Sequence, residues 1–187
     1  MKIHSEELIA DLKQRTRQNY IQVEKFKTVP LAELNWRREP DSWNVLECIE
    51  HLNYYGNFYL PEIEKRIMAS KYEPEITFKS GILGNYFANM MLPKEKLKKI
   101  KTFKNQDPMG RKLQKEVIDQ FLGQQQKLLE LLKMAKKVSL TRTKVPISIS
   151  NFIKLRLGDT FRVVVYHNER HILQTGNVLK THNAMRK

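Results

Sequence analysis

The segment His167-Asn168-Glu169-Arg170-His171 carries the clearest chemistry in the sequence. On a helix, four residues at about 100° each bring two imidazoles within about 40° of one another and one turn apart, close enough to share an ion. The neighbouring residues set the direction. Thr160, Val164, His167, His171, Gln174 and Val178 recur in steps of four and three, a partly apolar stripe that should face the interior of a helical domain. Two inward imidazoles are costly unless something pairs with them. A metal ion does so, since neutral imidazole is a common ligand; a satisfied pair of core histidines is the alternative. The pattern is not that of the zincin helix. Glu169 stands two residues after the first histidine, about 200° round the helix and on the opposite face.

His51 supplies a third point, on a separate helical segment and one turn from Cys48 and Tyr55. With the pair it makes a set of three protein nitrogens, which leaves a coordination position open for chemistry or ligand binding. Cys48 is a soft ligand or nucleophile if it reaches the ion, and otherwise a small buried apolar residue. Glu47 is a candidate to orient His51 or to take a proton from an activated water, against the plainer role of a solvated carboxylate. Gln174 and Asn168 are further candidates to hold the imidazoles. Tyr20 and Tyr55 either line a pocket or fill the core. Trp43 is expected to pack the start of its helix against the domain. His4 and His182 lie near the ends of the sequence, off the stripes, and receive no role.

Four periodic segments must position these residues. The first spans about 5–27, with Leu8, Leu12, Val23 and Phe26 on one stripe and polar Thr16 and Asn19 between them. The second follows Asp41-Ser42, either of which can cap it, and carries Val45, Ile49, Leu52, Gly56, Tyr59, Ile63 and Ile67. Pro61 falls inside this pattern and should kink or divide the helix. Residues 74–110 break the rhythm, with GILGNYFANMML a candidate short helix over one end of the core. A third helix is expected over 110–137. The connection VSLTRTKVPISI reads as loop despite some strand character, and Ser148 or Ser150 should cap a last helix from Asn151 to about Lys180.

Two stretches resemble a known family. DSWNVLECIEHLNYY is similar to the second-helix signature of the DinB-like (YfiT-like) metal-binding bundle proteins, and YHNERHILQTGNVL to their closing H-x3-H helix, including the Gln three residues after the last His. In helix order and length the similarity covers essentially the whole chain. Here Ser42 precedes Trp43, a slight departure from the family's order. The resemblance implies an all-α four-helix bundle of up-down-down-up type, with a long connection between its second and third helices. It also implies a homodimer and one divalent ion (zinc, nickel or iron), with the ligands falling on His51, His167 and His171.

Composition bounds the rest. A chain of 187 residues, 41% hydrophobic, is expected to form a single domain over 1–187. A lone cysteine and the lack of an apolar leader or span point to a cytoplasmic protein with no membrane partner. The net charge of +14 concentrates in PKEKLKKIKTFK (93–104) and KMAKKVSLTRTK (133–144), read as solvated loops in preference to a nucleic-acid site. The reaction is left open among three classes. One is a metal-dependent transferase of a low-molecular-weight thiol, which the resemblance implies for several relatives. The others are a metal-dependent hydrolase acting on a small molecule and a non-enzymatic protein that binds nucleic acid or simply keeps the bundle.

Overall fold

The computed structural model describes residues 1–93 and 102–186, and most of the lysine-rich run at 93–104 lies outside them. The fold is predominantly helical. Four long helices dominate it: α1 (Ser5–Glu24), α3 (Val45–Met68), α5 (Glu116–Met134) and α6 (Leu157–Met185), with α2 (Leu31–Leu34) and α4 (Ile82–Met91) shorter. Single 3₁₀ turns, Lys25–Thr28 and Ala135–Lys137, carry α1 and α5 to the C-terminal ends expected for the first and third segments, but α5 starts at Glu116 and not at 110. α1 packs on α5 and α6, and α3 packs on the same two, so the contacts close a ring around a common interior. No helix among the described residues is long and apolar enough to cross a membrane.

Asn44, not Asp41 or Ser42, begins α3. Its side chain accepts from the Glu47 N–H at 2.8 Å, and the Glu47 carboxylate accepts from the Asn44 N–H at 2.9 Å, a reciprocal capping box. α3 continues through Pro61, which sits on its exposed face, where water can reach the carbonyl that proline leaves without a donor.

The connection before α6 is not a loop. β3 (Lys144–Ile147) and β4 (Ser150–Arg156) form an antiparallel hairpin with Val145 opposite Leu155, and α6 begins at Leu157 rather than Asn151. Neither Ser148 nor Ser150 caps it; the residue before the helix is Arg156. The β-branched Val145, Ile147 and Ile153 favour this pleated arrangement. A second antiparallel pair joins β1 (Lys2–His4) to β2 (Thr77–Lys79), with Ile3 opposite Phe78.

The interior has two apolar compartments. One gathers the N-terminal part of α1, the C-terminal parts of α3 and α5, the hairpin and the start of α6; the other gathers the opposite halves. Between them each long helix contributes buried polar residues: Thr16 and Asn19 from α1, His51 and Asn53 from α3, Gln125 from α5, and His167 and Asn168 from α6. The members of this belt are hydrogen-bonded, as burial requires. Asn53 donates to the Val117 carbonyl at 2.9 Å, and Asn168 to Gln125 Oε1 at 3.2 Å.

α4 lies against α6 and is fastened by a buried ion pair. Arg162 meets Asp159 at 3.0 Å, with side-chain exposures of 2% and 0%. Asp159 also accepts from Ser80 Oγ and, at 2.8 Å, from the Gly81 N–H, while Arg162 reaches Asn85 at 3.2 Å. Gly84 is needed for this approach, because a Cβ there would overlap the Asp159 carboxylate.

Candidate metal centre

Three histidines converge at the polar belt. α3 delivers His51 and α6 delivers His167 and His171, and one ring nitrogen from each lies within 4.8 Å of the others. His51 and His167 are 3% and 5% exposed; His171 is the least buried. Their rings meet edge to face, with centroids 4.7 to 5.0 Å apart. The i, i+4 spacing on α6 thus does what helical geometry requires of it, and α3 brings the third ring from across the interior.

Hydrogen bonds fix two of the imidazoles. His51 Nδ1 lies 2.7 Å from the Gln106 carbonyl, which only accepts, so that nitrogen carries the proton and Nε2 presents its lone pair. His171 Nδ1 lies 3.0 Å from Gln174 Oε1, which leaves its Nε2 free in the same way. His51 Nε2 and His167 Nε2 stand 3.2 Å apart. Two nitrogens bound at about 2.0–2.1 Å to one tetrahedral ion stand roughly 3.3–3.4 Å apart, so this separation already suits a shared ion. The residues fit a divalent metal.

Electrostatics agree. Burial pushes His51 down to about 4 and His171 down to about 3. It holds His167 well below its ordinary value, helped by the neighbouring His171, His51 and Arg170. All three are neutral at pH 7, the form that ligates.

Aromatic walls surround the group. Trp43 lies against His51 and His171, with centroids at 4.7 and 5.7 Å, and Tyr55 against His51 and His167 at 4.9 and 4.5 Å. Trp43 therefore does more than pack the start of α3. Burial pushes the Tyr55 phenol up to about 12, so it stays neutral and can donate. Trp43 Nε1 donates to Asp107 Oδ1 at 3.0 Å, which ties the stretch just after the Gln106 carbonyl to the same wall.

The other candidates separate. Gln174 holds His171. Asn168 turns to Gln125 and makes no hydrogen bond to the histidines. Glu47 does not reach His51: its carboxylate is taken up by Arg37 at 2.8 Å, the Gly110 N–H at 2.7 Å and the Asn44 N–H. Cys48 is fully buried outside the histidine group, its thiol pushed up by burial and then by Glu47. Tyr20 packs against the second apolar compartment. His4 belongs to β1, and His182 lies beside Trp36 and 3.9 Å from Glu33. Glu169 pairs with Arg15 at 3.1 Å, on the face away from the histidines. Sequence reasoning missed Gln106 and Asp107. A backbone carbonyl acting on an imidazole has no sequence signature, and a single aspartate in an aperiodic stretch has none either.

A family model described as the DinB superfamily matches residues 14–175, a span that contains all three histidines. Searches of curated proteins and of solved structures returned no match.

Proposed function

The chain belongs to the DinB superfamily, and from that premise we propose that it holds one divalent ion on His51, His167 and His171 and acts as a metal-dependent transferase of a low-molecular-weight thiol. On this reading the four long helices form the up-down-down-up bundle of a single domain over 1–187, and two copies pair as a homodimer. A bound ion supplies positive charge at an open position, which favours the deprotonated form of a thiol brought beside it. The chain's own residues do the rest. Gln106 and Gln174 hold two imidazoles in the tautomer that faces inward. Trp43 and Tyr55 supply flat walls that exclude water and orient an electrophile.

One observation favours thiol transfer over hydrolysis. Glu47, the carboxylate best placed in sequence to act as a base for water, spends its oxygens on three other donors. Hydrolysis finds its support in Asp107, close enough to act on His51 electrostatically, although Oδ1 already accepts from Trp43 and from the Met109 N–H at 3.0 Å.

The test has two stages. Purified protein should carry close to one divalent ion per chain, and alanine at His51, His167 or His171 should deplete it, while His4→Ala should not. A His51 variant that keeps its metal as well as the parent does would remove the third ligand from the proposal. Metal-loaded protein is then given a panel of cellular thiols with a generic electrophile, beside the His167→Ala variant. Thiol-dependent turnover absent from the variant supports the transferase. Turnover of esters or amides without thiol moves the assignment to a hydrolase, and inactivity in both assays leaves a non-enzymatic binding protein.

A further inference from the structure

Helix α4 packs Gly84, Ala88, Phe87 and Met91 toward the core and leaves other large apolar residues outside. Gly84 and Ala88 are buried, whereas Ile82, Leu83 and Tyr86 share the outward stripe, Ile82 being 95% exposed. No residue of the helix is charged. On the neighbouring β4, Phe152 is 98% exposed and Ile153 is exposed as well, as is Ile149 in the turn before it. Arg156 ties the end of β4 to β2, just before α4, its Nη1 donating to the Lys79 carbonyl at 2.6 Å. Large apolar side chains this exposed on adjoining elements mark an interaction surface.

Charge decides what that surface meets. Residues 76–92 carry Lys79 and no acid, and residues 139–158 carry Arg142, Lys144, Lys154 and Arg156 against no acid. A second copy meeting through this face would set like charge against like. A nucleic acid would answer the charge, but four of the six exposed side chains are aliphatic and offer no ring for a base to stack on. The surface of an anionic bilayer answers both features. Its phosphates draw the lysines, and the aliphatic side chains with amphipathic Tyr86 enter the boundary between headgroups and acyl chains.

We propose that the face formed by α4 and β4 docks the protein on anionic membranes. The expectation of no membrane partner rested on the missing apolar span, and a protein that lies on the surface requires none.

Sedimentation of the full chain with lipid vesicles tests this. The protein should partition onto vesicles of phosphatidylcholine mixed with phosphatidylglycerol, bind pure phosphatidylcholine weakly, and lose binding as salt is raised. Ile82→Ser and Phe152→Ser should each lower the partition about tenfold, the equivalent of roughly two methylenes withdrawn from lipid. Both side chains are almost wholly exposed, so an unchanged melting temperature certifies the folding of each variant. Equal binding of parent and variants to the mixed vesicles would overturn the proposal, since charge alone would then explain it. So would the absence of vesicle binding, a dimer that dissociates in Phe152→Ser, or tight single-stranded nucleic-acid binding that replaces lipid binding.

Discussion

The Gln174 side chain on His171 and the Gln106 carbonyl on His51 determine which nitrogen each ring turns toward the centre. Gln174→Ala should therefore weaken metal affinity by about tenfold or more without unfolding the protein, read by competition with a chelator of known affinity. Protonation gives a second expectation. In the metal-free protein the folded state keeps His51 and His171 neutral down to about 4 and 3, while the unfolded chain binds those protons near pH 6.5. Below that point the unfolded state holds more protons, so stability falls with pH between about 6.5 and 4, and above pH 7 the effect disappears. His51 alone contributes a loss on the order of 3 kcal/mol by pH 4. Denaturant midpoints measured across this range should slope less in His51→Gln; an equal slope would count against a neutral buried His51. The three converging histidines were legible in the sequence because helical spacing and an apolar stripe are local facts. Glu47 was misread for a related reason: position four residues before His51 places it on the helix, but its partners Arg37 and Gly110 are tertiary.

At the scale of elements, the periodic pattern located every long helix, and the errors fell where two periods fit the same residues. Phe152 and Leu155 suit the start of a helix as well as a strand, so β4 was absorbed into α6. The N-x-x-E signature at Asn44 and Glu47 was present, but the preceding Asp41-Ser42 offered equally good capping chemistry. The seat of α4 on α6 depends on Gly84, since any Cβ there meets the Asp159 carboxylate that also holds Ser80, Gly81 and Arg162. Gly84→Ala should destabilise the protein by about 1–3 kcal/mol, seen as a lower urea midpoint, while leaving metal content unchanged. Metal loss in that variant would show that α4 supports the centre directly.

Across the whole molecule the polar belt divides the interior, and among the described residues the histidine group lies at the level where all four long helices bury polar groups. Two apolar compartments bury most of the apolar side chains, which leaves the belt to the polar ones. The expected homodimer is checked by light scattering at micromolar concentration, where a monomer would remove dimerisation from the proposed function. The stretch from Gln106 to Gly110 gives the centre one more property. It crosses from His51 to Trp43 and Glu47 through the Gln106 carbonyl, the Asp107 carboxylate and the Gly110 N–H. If the histidines hold the proposed ion, its release would require several of these bonds to let go together, and its residence time would follow local opening as well as ligand strength. Asp107→Ala, which removes the acceptor for Trp43, should then speed release to a chelator while changing equilibrium affinity far less.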